Sequence, residues 1–301
     1  MILTSGKRRV LITGGSGFLG YHLAAQLGKT HEVAFTYSTH RLFIPRCAAF
    51  RMDLQKEYTV VDCLRRFQPD VVVHAAAVAN AADCESSRAK AFAVNVTGTE
   101  RLLRALPNRD VLAIYISTDL VFDGLNAPYR ESGEPQPISF YGETKRMAEQ
   151  ITQRMAPNHI ILRPALIFGP PTASGRGSFV QWMDKALSQE EKVNLFLDEF
   201  RTPVYVHDIV TAVRALMERS GAHRIYHVGG PERITRVEFA RRLCALRGYD
   251  PAKINPVMLK DVDTGYPRAV DVSLDSARIG LSHCLHPTPI ALALGEIFPS
   301  V

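Results

Sequence analysis

The chain has 301 residues, enough to bury a substantial core in one large domain or two modest ones. Its composition lacks any collagen-like, disordered or repeat signature, and a net charge of +6 spread over scattered Lys and Arg excludes a concentrated nucleic-acid-binding surface. The cysteines Cys47, Cys63, Cys84, Cys244 and Cys284 are dispersed, with no CxxC and no Cys/His ligand spacing, so free thiols in a reducing compartment and no metal site are expected. No apolar run reaches the roughly 18 residues of a membrane span. These properties predict a soluble cytoplasmic protein whose positive potential serves a phosphorylated small molecule.

Arg9 to Thr13 reads as a short buried strand running into Gly14-Gly15-Ser16-Gly17-Phe18-Leu19-Gly20. An amphipathic helix follows, with Leu19, Leu23 and Leu27 on one stripe. The run satisfies GxGxxG from Gly15 and TGxxGxxG from Thr13. Between a strand and a helix, such glycines let the backbone approach a pyrophosphate, whose charge then sits at the helix N-terminus. The second strand, Glu32 to Tyr37, ends in Ser38, Thr39, His40 and Arg41. An NAD-selective site often has an acid here for the ribose 2′-hydroxyl. None is present, and Arg41 with Ser38 could receive a 2′-phosphate, so NADP (NADPH) is expected in preference to NAD. The competing reading makes Arg41 a surface loop residue.

A third strand is predicted over Phe50 to Leu54, where Asp53 could accept from an adenine amino group or cap the next helix. A helix around Tyr58 to Phe67 leads to the apolar strand Val71 to His74, with the small residues Ala75, Ala76 and Ala77 at its end. His74 reads as a satisfied core residue. One long helix is predicted from Ser87 to Leu106. It carries Asn95, which could hold a lysine through water or tie the helix to a loop. Val111 to Ile116 is another buried strand, ending in Ser117, Thr118 and Asp119. Alternating helices and continuously apolar strands imply an α/β fold, a doubly wound parallel (Rossmann-like) sheet. Ligands of such sheets bind beyond the strands' carboxyl ends, where these polar groups converge.

The segment Ser139 to Lys145 opens the next helix. Tyr141 and Lys145 then lie four residues apart on one face, where the ammonium would favour the phenolate and lower the phenol pKa. Beyond Arg163-Pro164, the run Pro170 to Gly177 is a turn-rich loop that could close over a substrate or simply lie on the surface. Ser178 to Leu187 reads as a helix with Phe179, Trp182 and Met183 on its apolar side. Short strands near Val193 to Phe196 and Val204 to Val206, a helix begun by Asp208, a returning strand Arg224 to Val228 and a helix from Thr235 to Leu246 follow. Arg201 could pair with a substrate phosphate or with Asp198 or Glu199, and Arg268 could grip a nucleotide phosphate. The expected organisation is a cofactor-binding core over 1–165 and a mainly substrate-binding lobe over 166–301, packed on the core with segments that return to the sheet.

Thr13–Gly20, Ala75–Ala77, Ile116-Ser117-Thr118-Asp119, Val121-Phe122-Asp123-Gly124 and Tyr141–Lys145 together resemble the extended short-chain dehydrogenase/reductases. Within them the chain looks most like the dTDP-4-dehydrorhamnose reductase branch, which includes the methionine adenosyltransferase regulatory beta subunit. Arg163-Pro164, Phe168-Gly169, Phe200 to Val204 and Asp271 to Asp275 extend the resemblance over nearly the whole chain. The resemblance implies that Thr118 hydrogen-bonds a substrate carbonyl, with Ser117 the alternative. It also implies that Tyr141 delivers the proton and that Lys145 binds the nicotinamide ribose. Its cofactor contacts fall on Gly14, Ser16, Gly17, Phe18, Leu19, Gly20, Ser38, Arg41, Asp53, Leu54, Ala75, Ala76, Ala77, Asn95, Ser117, Tyr141, Lys145 and Pro164. Its substrate contacts fall on Thr118, Asp119, Leu120, Val121, Leu166, Arg201 and Arg268.

The implied activity is NADP(H)-dependent reduction of a ketone, the 4-keto group of a nucleotide-linked deoxysugar, with homodimer formation left open. Two positions depart from the reductases: Leu120 replaces their usual Tyr and Leu166 their usual Trp, both of which line the sugar pocket. The regulatory subunits share an aliphatic residue at the second position. A non-catalytic NADP-binding regulatory subunit and a sugar-nucleotide epimerase are therefore the rival readings.

Overall fold

The computed structural model describes residues 6–218, 224–283 and 285–299; Cys284 lies outside them. The first half runs β1 (Arg9–Thr13), α1 (Phe18–Leu27), β2 (Glu32–Tyr37), β3 (Cys47–Arg51), α2 (Glu57–Phe67), β4 (Val71–His74), α3 (Ala81–Ser86), α4 (Arg88–Phe92), α5 (Gly98–Arg104), β5 (Leu112–Ile116), α6 (Phe140–Met155) and β6 (His159–Pro164). The second half adds α7 (Phe179–Ser188), α8 (Val206–Glu218), a returning strand β7 (Arg224–Val228) and α9 (Arg236–Arg247), with three short two-stranded pairings outside the main sheet.

The main sheet has seven strands in the order β7-β6-β5-β4-β1-β2-β3, all parallel. Val10, Leu11 and Ile12 are fully buried, and so are Val71 to Val73. Strands apolar on both faces need a helical layer on each side. Helices α1 and α8 pack together over one face, while α2, α5 and α6 form the other layer. The chain moves outward from β1 through β2 to β3, then returns to lay β4 on β1's other flank. That reversal opens a crevice at the carboxyl ends of β1 and β4, where such sheets bind ligands. Thr13, His74 and Tyr115 stand in register across it.

The structure departs from three of the expected elements. The third strand spans Cys47–Arg51 rather than Phe50 to Leu54, because pairing with β2 begins at Val33–Cys47. Past its end the Asp53 carboxylate accepts from the Gln55 amide and turns the chain into α2. The long helix predicted from Ser87 to Leu106 is interrupted. Between α4 and α5 lies a single π turn, Ala93–Thr97, a widening often found at functional positions. Trp182 faces solvent and is 54% exposed, whereas Met183 is buried with Val180 and Phe239 in a second core beneath the C-terminal elements.

Candidate active site

The glycine turn is shaped by two requirements. Gly14 has φ +71°, and a Cβ there would lie 2.8 Å from the Ala76 Cα, so the turn needs glycine to press against the loop after β4. Gly17 caps α1 with no side-chain acceptor, which leaves the first-turn amides of a ten-residue helix available at the cleft. Thr13 reinforces the contact: its hydroxyl accepts from the Ala75 and Ala76 amides, each at 3.1 Å.

A second group forms where β5 ends and α6 begins. Ser139 caps α6 through the Gly142 amide. A Cβ on Gly142 would meet the Leu120 carbonyl oxygen at 2.2 Å. The glycine therefore lets the helix start tuck against the turn that carries Thr118, which brings Tyr141 to that hydroxyl. Both Tyr141 and Lys145 are buried. Lys145 Nζ donates to the Ile116 carbonyl at 2.6 Å and lies 4.2 Å from the centre of the Tyr115 ring.

Titration in this site runs against the simplest expectation. Burial pushes the Tyr141 phenol up, with Asp119 and Cys84 adding to the rise and only the Thr118 hydroxyl opposing it. Lys145 does not lower it as predicted, because the amine loses its own proton well below the range in which the phenol titrates. Burial also lowers Lys145 to about 7, against the pull of Glu149 one turn on. Asp119 is pushed up to about 6 by burial, although Arg201 and the Thr118 hydroxyl draw it down.

The structure separates the two candidate hydroxyls. Ser117 Oγ donates to the Glu149 carboxylate at 2.6 Å. That carboxylate is fully buried and takes two further bonds from the equally buried Arg163, at 2.8 and 2.7 Å. Thr118 Oγ donates to Asp119 Oδ1 at 3.1 Å and accepts from the Leu120 amide, beside Tyr141.

One cleft of about 1280 Å³ joins the two groups. Of the predicted cofactor residues, its wall takes Gly14, Ser16 to Gly20, Ser38, Asp53, Leu54, Ala75 to Ala77, Ser117, Tyr141, Lys145 and Pro164. Thr118, Asp119, Leu120 and Leu166 line it too, as do Ser174 to Gly177 of the turn-rich loop. Five predicted residues lie off the wall. Arg41 and Arg51 are both exposed, but only Arg51 lines the cleft beside Ser38: parallel pairing sets it opposite Tyr37, and its Nε bonds the Ser38 carbonyl. Asn95 sits behind the wall, holding the Val78 amide and carbonyl and the Thr144 hydroxyl. Val121 is wholly in the core. Arg201 and Arg268 turn to Glu199, at 3.1 and 2.6 Å. Burial would raise the Glu199 carboxyl, but Arg201, Arg236 and Arg268 outweigh it and hold the group below its usual range. Arg268 also borders a separate cavity of about 440 Å³ formed by residues 259–268.

Sequence reasoning passed over Arg51, Lys90, Glu149 and Arg176. Glu149 had one readable signal, its place one turn beyond Lys145; Arg51 needed the strand register. Among the described residues there is no cluster of metal ligands, and no helix is long and apolar enough to cross a membrane.

The chain is 29% identical over 296 residues to the dTDP-4-keto-6-deoxy-D-glucose reductase of Streptomyces niveus, covering 97% of this chain and 96% of that protein. It is 28% identical to methionine adenosyltransferase 2 subunit beta of Xenopus laevis, covering 98% of this chain and 88% of the relative. Among solved structures it matches the Bacillus anthracis dTDP-4-dehydrorhamnose reductase in complex with NADP, with a TM-score of 0.85 at 23% identity over 97% of this chain and 99% of that one; this match shows a shared fold. A family model for the RmlD substrate binding domain spans residues 8–300, and the chain belongs to that family, within the extended short-chain dehydrogenase/reductases.

Proposed function

We propose that the protein is an NADPH-dependent reductase that transfers hydride to a ketone, the 4-keto group of a nucleotide-linked deoxysugar. The observation that carries this reading is that Thr118, Tyr141 and Lys145 share one cleft with the glycine turn. The residues suit the cofactor. Gly14 permits close backbone approach, the open amides at the start of α1 suit a pyrophosphate, and Ser38 with Arg51 suits a 2′-phosphate. Asp53 and Leu54 would border the adenine end of the bound cofactor, and Lys145 would hold its nicotinamide ribose. Bound NADPH supplies the hydride.

The chain's own side chains handle the proton and the developing charge. A Tyr141 phenol raised by burial is protonated at neutral pH, the form required to donate to an oxygen being reduced. Thr118 re-aims its hydroxyl proton from Asp119 to that oxygen by rotating about Cβ–Oγ, which leaves Oγ in place as a donor where negative charge grows. Lys145 is held at the end of β5 by its bond to the Ile116 carbonyl and carries its charge below about pH 7, and Ser117 is committed to holding Glu149. Leu120 and Leu166 give the substrate end an aliphatic wall. The Streptomyces niveus reductase, with its dTDP-linked keto sugar, supports this substrate class.

The decisive assay follows NADPH absorbance against a panel of 4-keto-sugar nucleotides, and oxidation with at least one is expected. A second reading, a regulatory subunit, draws on Leu166 and on the similarity to the methionine adenosyltransferase beta subunit. Silence across the panel, with a stoichiometric enzyme recovered in a pull-down, would establish it instead.

A further inference from the structure

His74 lies at the sheet's crossover, with Thr13 on one flank and Thr99 of α5, just beyond the π turn, on the other. The ring is buried, as are Thr13, Thr99 and Asn95 around it. Its protons can be placed by counting. Thr99 Oγ donates its single proton to the Asn95 carbonyl at 2.6 Å. The contact between Thr99 Oγ and His74 Nε2, at 2.9 Å, must then use a ring proton, so Nε2 carries hydrogen. On the other side, Nδ1 is 2.7 Å from Thr13 Oγ, which already accepts from the Ala75 and Ala76 amides. The Thr13 proton therefore goes to Nδ1. A second ring proton there would leave that hydroxyl hydrogen buried without an acceptor.

We infer that His74, as the neutral Nε2–H tautomer, is a positioning residue that locks the Ala75–Val78 wall of the cleft between the glycine turn and the catalytic helix. The lock works at both ends. Through Thr13, His74 orients the hydroxyl that holds the Ala75 and Ala76 amides. Through Thr99, it braces the π turn whose Asn95 holds Val78 and bonds Thr144, the residue before Lys145. Tyr115 and Lys145 face the ring from β5 and α6. Burial lowers the imidazole to about 3, and Lys145 adds to the effect, consistent with the neutral form. The part played in cofactor binding rests on the reading of the cleft proposed above.

Two side chains divide the lock. In His74→Asn the amide oxygen lies near the Nδ1 position and keeps an acceptor for Thr13. In His74→Gln the amide reaches the Nε2 level and keeps the bond to Thr99, but Thr13 loses its acceptor. The expected result has three parts. ¹⁵N-imidazole spectra of the full-length protein show a neutral Nε2–H ring from pH 5 to 9. Hydrogen exchange at the Ala75 and Ala76 amides accelerates by about tenfold in His74→Gln and little in His74→Asn. NADPH affinity follows the same order. A charged or Nδ1–H ring, or equal exchange in the two variants, would overturn the inference. Failure of the wild-type protein to bind NADPH would remove the cofactor reading alone, since the spectra and amide exchange need no cofactor.

Discussion

Tyr141 and Lys145 occupy neighbouring turns of one helix, yet burial moves their pKa values in opposite directions. Desolvation disfavours whichever form is charged, so it raises the phenol and lowers the ammonium. Two expectations follow at this scale. Tyr141→Phe should lower turnover by about 10²- to 10⁴-fold while NADPH binding, read by fluorescence, stays intact; unchanged turnover would remove Tyr141 from the chemistry. NADPH is anionic, so its affinity should weaken as pH rises through about 7 and Lys145 loses its proton, by up to about tenfold per pH unit. Lys145→Met should flatten that profile. The sign for stability is the reverse: with a folded-state pKa below the ordinary 10.5, burying the ammonium costs stability below about pH 7. That cost is relieved as pH rises from about 7 toward 10.5.

Elements meet here through a few buried ions. Glu149 on α6 receives Arg163 from β6 and Ser117 from the end of β5, so one carboxylate fixes the helix that carries Tyr141 and Lys145 to two strands. Glu149→Ala would strand the Arg163 guanidinium, and thermal or denaturant unfolding should show a loss of about 3–5 kcal/mol. A loss near zero would mean that Arg163 finds another acceptor. At the other edge of the cleft, the β2–β3 register makes Arg51 the cation beside Ser38. Arg51→Ala should weaken NADPH much more than NADH, whereas Arg41→Ala should change both little. Equal losses of NADPH and NADH in Arg51→Ala would argue against a 2′-phosphate role. The two readings differ for a plain reason: Arg41 follows the second strand directly in the chain, whereas Arg51 comes beside Ser38 from the next strand over.

The whole molecule is a doubly wound sheet whose strand reversal sets the glycine turn, the Ala75–Val78 wall and the Thr118 turn around one cleft. A ligand held by all three should stabilise the native state as a unit. NADPH at a hundred times its Kd is expected to add about 2.7 kcal/mol, read as a rise in Tm that NADH at the same concentration does not match. The sheet, the glycine turn, the Thr118 turn and the Tyr141–Lys145 pair were legible in the amino-acid sequence because each is a local pattern: an apolar run, a glycine spacing, or two residues one helical turn apart. Tertiary structure alone decided that Ser117 serves Glu149 while Thr118 lies beside Tyr141, that Arg201 and Arg268 turn to Glu199, and that Arg51 stands by Ser38. It also decided that the phenol is raised rather than lowered. Such outcomes depend on strand register and burial, which join residues as far apart as Thr13 and His74 and leave no periodic trace in the chain.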